Sequence, residues 1–148
     1  MASLSPLFAA TFCPFFLKIS IASVYEILNS TKSQASSFST WKGIEDVEIS
    51  PIDGKIYFAV KGEGKIFRFK DDSPLLGGSI SEFEVYVGGM SYDGEPWGNG
   101  NDNLAFDDLG NLYVLQDGSR NHIWMVTPNH TQASPKVDLF AKLPSGSE

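Results

Sequence analysis

The chain has 148 residues and carries 18 acidic against 11 basic side chains, which gives it a net charge of −7 at neutral pH. An acidic chain without a cluster of Lys or Arg is a poor partner for a phosphate backbone, so we expect no nucleic-acid binding. Its single cysteine, Cys13, excludes an intramolecular disulfide and a thiolate zinc site.

The first 21 residues form an apolar segment for which the sequence leaves two interpretations open. Residues 4–17 are largely apolar and resemble the hydrophobic region of a signal peptide. A basic region before them is missing, and Pro6, Pro14 and Lys18 interrupt the run, which is too short to span a membrane. We therefore expect no stable membrane span. The segment is either an export signal, which would make the protein secreted or periplasmic, or a packed N-terminus.

A short helix and a linker are expected over residues 22–40. Val24, Ile27 and Leu28 recur at helical spacing, and the Ser- and Thr-rich stretch 30–40 would end the helix. The hydrophobic period then changes, so that residues 41–148 form a separate, β-rich domain.

Eight strands follow from the apolar pattern of this domain. We predict them near residues 44–49, 56–60, 65–69, 83–87, 104–106, 112–115, 123–126 and 137–141. Pro51 and Gly54 mark the turn between the first two strands, because Pro fixes φ and Gly accepts a positive φ. The long connection over residues 88–100 contains Trp97, which we expect to be a packing residue, like Trp41 and Trp124, or else to make a contact from the loop.

The two halves of this region repeat one pattern. The pair Glu45-Asp46 precedes an apolar stretch, a turn with Gly and a second strand, and the pair Asp102-Asn103 stands at the equivalent place in the second half. Four strands per repeat are typical of a propeller blade. The predicted fold class is therefore all-β: a partial β-propeller of about two four-stranded blades, preceded by the short N-terminal helix.

The repeated polar pairs allow two readings. Propeller ligands gather where the inner strands begin, which is where both pairs lie, and carboxylate and amide oxygens suit calcium. Asp and Asn equally often cap turns and accept backbone N–H bonds. The residues alone leave both readings open.

The same stretches resemble the PhoX-type alkaline phosphatases. The motifs that match are Gly-Ile-Glu-Asp-Val-Glu-Ile at residues 43–49, Gly-Asn-Asp-Asn-Leu-Ala-Phe-Asp at residues 100–107, and the start of a third motif, Leu-Pro-Ser-Gly-Ser-Glu, at residues 143–148. The resemblance covers about residues 41–148. It implies the C-terminal part of a six-bladed, exported propeller that hydrolyses phosphate esters with calcium and iron.

The resemblance also implies a set of metal ligands. They map onto Glu45 and Asp102, then onto Glu148, with Asn103 at the edge of the site; no catalytic residue is assigned. Gly43-Ile44 stand where the family has an Arg, and the family's N-terminal blades are missing from the sequence. The expected function is that of an incomplete PhoX-like phosphoric ester hydrolase, inactive without the missing blades as partners, whose substrate would be a small phosphate ester.

Two other functions stay open. A non-catalytic propeller module that binds calcium is favoured by the absence of the family's Arg. A lactonase-type propeller hydrolase also uses acidic and amide residues on calcium. Whether this chain is itself an enzyme is therefore an open question at the level of sequence.

Overall fold

The computed structural model describes residues 41–76, 79–118 and 120–144, and this part of the chain is all-β. The apolar segment 1–21 and the helix expected within residues 22–40 lie outside the described residues. A single turn of 3₁₀ helix is present at Lys61–Glu63. Within the described ranges, no helix is long and apolar enough to cross a membrane.

The eight predicted strands are confirmed, and they form two four-stranded antiparallel sheets. In each sheet the strands neighbour one another in the order of the sequence. The first sheet contains β1 (Ile44–Ile49), β2 (Ile56–Val60), β3 (Lys65–Asp71) and β4 (Ile80–Gly88). The second contains β7 (Asn101–Phe106), β8 (Leu112–Gln116), β9 (His122–Val126) and β10 (Val137–Lys142). The described residues close neither a barrel nor a propeller ring.

The connection between the sheets holds a small hairpin that the sequence pattern does not predict. Its strands are β5 (Ser91–Tyr92) and β6 (Glu95–Pro96). The hydroxyl oxygen of Tyr92 accepts the N–H of Gly88 at 3.0 Å, and the N–H of Trp97 donates to the carbonyl oxygen of Met90 at 3.2 Å. The connection is thus an ordered part of the core.

Trp97 belongs to this core, so its interpretation as a packing residue is confirmed. Its side chain is fully buried and stacks on Trp124, with the ring centroids 5.2 Å apart. The hairpin before it brings the indole between the sheets, where burial of a large aromatic surface is favourable.

The main core lies between the two sheets. Its buried side chains come from both of them: Tyr57, Ala59, Ile66, Tyr86, Val87, Leu104, Leu112, Val114, Trp124 and Val126. A second cluster covers the other face of the first sheet and contains Ile56, Phe58, Val60, Phe67 and Phe69. The alternation along each strand produces this division, since neighbouring side chains point to opposite faces.

The first strands of the two sheets, β1 and β7, lie beside one another. The Asp46 carboxylate joins them, because its Oδ2 accepts the N–H of Leu104 at 2.8 Å while its Oδ1 accepts the N–H of Val47 at the same distance. For Asp46, the reading as a backbone acceptor is therefore confirmed.

Candidate functional site

The ends at which β1 and β7 begin form a common rim, and Lys61 lies between them. The backbone N–H of Lys61 donates to the carbonyl oxygen of Gly43, just before β1, at 2.9 Å. Its own carbonyl oxygen accepts the N–H of Gly100, just before β7, at 3.4 Å. The 3₁₀ turn ends at Gly64, whose φ is +60° and where a Cβ would overlap the carbonyl oxygen of Gly98. Glycine is therefore required for the turn to approach the connection that leads into β7.

The ammonium group of Lys61 lies among carboxylates from both sheets. Lys61 Nζ is 2.6 Å from Oδ2 of Asp117, in the turn between β8 and β9, and 3.7 Å from Oδ1 of Asp102. The hydrogen bond to Asp117 raises the pKa of Lys61 above its ordinary value, and the charges of Asp102 and Glu45 add to the effect. We call Lys61, Glu45, Asp102 and Asp117 the acidic rim.

The structure brings two of the four predicted metal ligands to this rim. Glu45 and Asp102 both act on the Lys61 ammonium. Asn103 follows Asp102 in β7 and is exposed. Glu148 lies outside the described residues. Glu45 and Asp102 therefore both lie near Lys61, at one end of the two sheets.

Lys61 and Asp117 belong to the rim but are not predicted as site residues by the sequence pattern. Both occupy the first position after the second strand of their repeat: Lys61 follows β2, and Asp117 follows β8. Asp117-Gly118 has the composition of an ordinary turn, which hides any other role. The signal that could have found this ion pair is the equivalence of the two positions combined with their opposite charges.

The fit of calcium to these residues is incomplete. Carboxylate oxygens are the donors that calcium prefers, but it takes six to eight of them. Among residues 41–76, 79–118 and 120–144, no three His, Cys, Asp or Glu side chains are grouped so as to hold a metal ion. The Lys61 ammonium also stands between Asp102 and Asp117, where a cation would be bound. We therefore derive no reaction step through a metal.

A buried hydrogen-bond network lies next to the acidic rim, around the side chain of Gln116. Gln116 Nε2 donates to the carbonyl oxygen of Trp97 at 2.9 Å and to Oδ1 of Asn101 at 2.8 Å. Its Oε1 accepts the indole N–H of Trp124 at 2.8 Å. Asn101 and Gln116 directly precede Asp102 and Asp117, so this network fixes the backbone that carries both carboxylates.

The opposite end of the sheets contains a small cavity of about 50 Å³. The guanidinium of Arg68 lies 4.6 Å from the centre of the Tyr86 ring and donates to the hydroxyl oxygen of Tyr57 at 3.0 Å. Glu84 pairs with the same guanidinium at 2.7 Å. A space of this size holds a few water molecules. The Arg68 guanidinium that faces it is already paired with Glu84, whereas the acidic rim has three carboxylates and one ammonium group, so the rim is the better candidate for a functional site.

Comparison with other proteins adds no further assignment. The chain matches no family model, and searches of curated proteins and of solved structures find no significant match.

Proposed function

We propose that this chain is part of a PhoX-like propeller that hydrolyses small phosphate esters, and that its acidic rim supplies some of the ligands of a calcium site. The observation that carries the proposal is that Glu45 and Asp102, from equivalent positions of two repeats, act on the same cationic group. Two sheets with their first strands side by side also support adjacent blades of a propeller.

In this proposal the rim is one part of the full site. Glu148, Asn103 and the missing blades would supply further oxygen donors, and iron would accompany calcium as the resemblance implies. Bound cations would neutralise charge on the phosphoryl group. Because the described residues provide too few ligands, the chain is inactive on its own. Export to the periplasm or the medium belongs to the same proposal and rests on the apolar residues 4–17.

Lys61 opposes the binding of calcium at this rim. Its ammonium occupies the space between Asp102 and Asp117, so a divalent cation would have to displace it. Calcium affinity is therefore expected to be weak in the natural chain and to rise in Lys61→Met, which removes the competing charge without shortening the side chain greatly.

The test is calcium titration by isothermal calorimetry of the full chain and of matched variants. Glu45→Gln and Asp102→Asn should each weaken binding by about tenfold or more, since each removes one charged ligand. Asp138→Asn, an exposed carboxylate on β10, serves as the control and should leave the affinity unchanged. If Glu45→Gln and Asp102→Asn bind calcium as well as the natural chain does, their assignment as ligands is wrong.

A non-catalytic, calcium-binding module is the second candidate. The ion pair between Lys61 and Asp117 favours it, because a cation already placed at the rim would repel the several metal ions that a phosphatase site requires, while Glu45 and Asp102 could still bind one calcium ion weakly. Hydrolysis of p-nitrophenyl phosphate separates the two functions. It is measured with calcium and iron, on a protein in which the missing blades have been added to this chain. Calcium binding without hydrolysis in the completed protein would support the module and contradict the phosphatase.

A further inference from the structure

The connection between β9 and β10 folds back onto the first sheet, and we call its residues 127–136 the clasp. The carbonyl oxygen of Tyr86 in β4 lies 2.8 Å from Nε2 of His130 and accepts a hydrogen bond from Nε2 of Gln132 at 2.9 Å. The Tyr86 hydroxyl donates in turn to the carbonyl oxygen of Thr127 at 3.3 Å. The clasp therefore joins the second repeat to the outer strand of the first sheet.

The imidazole of His130 lies at the centre of the clasp, and both of its ring nitrogens have backbone partners. Only 2% of the residue is exposed. The backbone N–H of Lys136 donates to Nδ1 at 3.0 Å. Because an amide N–H can only donate, Nδ1 carries no proton, and the proton of the neutral ring is on Nε2, where it bonds to the Tyr86 carbonyl oxygen. The two partners thus select one tautomer of the neutral ring.

The protonated form of His130 does not fit this arrangement. An imidazolium carries an N–H group at both nitrogens, so its Nδ1–H would face the Lys136 N–H, donor against donor. The bond from Nε2 to Tyr86 would remain. The new Nδ1 proton, however, would have no acceptor inside the clasp, and a buried donor without an acceptor is unfavourable.

The surroundings of His130 do not favour its cation either. The phenol rings of Tyr86 in β4 and Tyr92 in β5 pack around it, with their centroids 5.0 and 6.4 Å from that of the imidazole. Burial lowers the pKa of His130 below its ordinary value of 6.5, the bond to Tyr86 opposes this in part, and the positive charge of Arg68 in β3 lowers the pKa further. Within the described part of the chain, no carboxylate contributes to this pKa. The charged side chain of the clasp next to the ring, Lys136, is also basic and is exposed.

We propose that the clasp is an acid-sensitive closure, shut while His130 is neutral and opened when the ring takes up a proton at Nδ1. Opening begins at Lys136, directly before β10, and then reaches the turn in which the His130 N–H donates to the Thr127 carbonyl oxygen at 2.9 Å. Pro128, in the same turn, lines the cavity of about 50 Å³ beside the Arg68 guanidinium. Acidification would therefore admit solvent to this cavity. The closure does not depend on a metal at the acidic rim.

The direction of the pH dependence follows from the lowered pKa. The open clasp leaves His130 near its ordinary pKa of 6.5, so the open form binds the proton more tightly than the closed form. The closed clasp is therefore fully stable above that pH, and its stability is lost as the pH falls from there towards the pKa of the closed form.

Hydrogen–deuterium exchange of the full chain, followed by NMR at the Lys136 amide, tests this proposal. Between about pH 7.5 and about pH 5, the protection of this amide, corrected for its intrinsic exchange rate, should fall by about tenfold. His130→Asn places a side-chain oxygen near the position of Nδ1 and does not titrate in this range, so it should abolish the fall. His122→Asn, at the other histidine of the chain, which is equally buried at 2% exposure, is the matched control and should retain the fall.

The nitrogen chemical shifts of the imidazole in the natural chain give a second measurement that needs no substitution. The Nε2–H tautomer should be present at neutral pH, and the midpoint of its titration should lie below 6.5 and coincide with the loss of protection at Lys136. A Lys136 amide whose protection does not change with pH would overturn the proposal, as would a fall that persists in folded His130→Asn. If that variant does not fold, a midpoint of the natural ring at or above 6.5 would overturn it instead.

Discussion

The two repeats share one backbone pattern, yet their equivalent positions carry different chemistry. The second strand of the first repeat ends at Val60 and is followed by Lys61, whereas that of the second ends at Gln116 and is followed by Asp117. Lys61 and Asp117 pair with each other at 2.6 Å, so the two copies complement one another at this position. Divergence between the repeats has thus itself created a contact that joins them.

The largest change in stability is expected from a substitution that removes the difference between Gln116 and its equivalent in the first repeat, Val60. Gln116→Leu gives the second repeat an apolar residue at this position, as in the first repeat. It leaves the Trp124 indole N–H, the Trp97 carbonyl oxygen and the Asn101 side-chain oxygen without the Gln116 side chain as their partner. We expect a loss of about 3 kcal/mol in the free energy of unfolding, because several buried polar groups become unpaired. Urea denaturation monitored by tryptophan fluorescence measures it.

Gln132→Leu is the matched control for that substitution. Gln132 Nε2 makes a single hydrogen bond, to the Tyr86 carbonyl oxygen at 2.9 Å, and the side chain is only partly buried. Loss of this hydrogen bond should lower the free energy of unfolding by about 1 kcal/mol or less. Equal destabilisation by Gln116→Leu and Gln132→Leu would contradict the special role of the network beneath the rim.

A smaller effect is expected where the repeats differ at Asp46 and Asn103. Asp46→Ala removes the acceptor of the Leu104 N–H and loosens β1 from β7, which should cost about 2 kcal/mol. Asn103→Ala, the same change at the exposed equivalent position, should cost less than about 0.5 kcal/mol. Thermal unfolding of both variants gives the difference. Similar values for the two would mean that Asp46 does not hold the sheets together.

The smallest effect concerns Glu48, whose equivalent in the second repeat is Ala105. Burial, and then the nearby charge of Asp46, raise the pKa of Glu48 above its ordinary value. The folded chain therefore binds this proton more tightly than the unfolded chain, and stability falls as the pH rises from the unfolded pKa through the folded pKa.

Glu48→Gln removes this unfavourable ionisation. At neutral pH the variant should be more stable than the natural chain by less than about 1 kcal/mol, since the group is partly screened by solvent. The advantage should vanish below the ordinary carboxyl pKa of 4.5. Unfolding curves recorded across this pH range test it, and a pH-independent difference would be inconsistent with the titration of Glu48.

The sequence predicts the two large sheets because their strands are long enough to show alternation, as along Ile56–Val60 and Leu112–Gln116. The hairpin of β5 and β6 was missed, since strands of two residues contain no period. The placement of Glu45 and Asp102 at equivalent positions of the two first strands follows from the repeat. The pairing of Lys61 with Asp117 is hidden, because Asp117-Gly118 has the composition of an ordinary turn and Lys61 has no local signature.

The bond between Asp46 and Leu104 also bears on the order in which the chain assembles. Its partners are 58 residues apart, so β1 acquires this contact only after β7 has been synthesised. Until then the face of the first sheet that contains Tyr57 and Ile66 is not packed against the second sheet. Exposed apolar strands of this kind are prone to aggregate or to pair incorrectly. Non-local closure of this type is slow, and we expect the first repeat to depend on the second during biosynthesis.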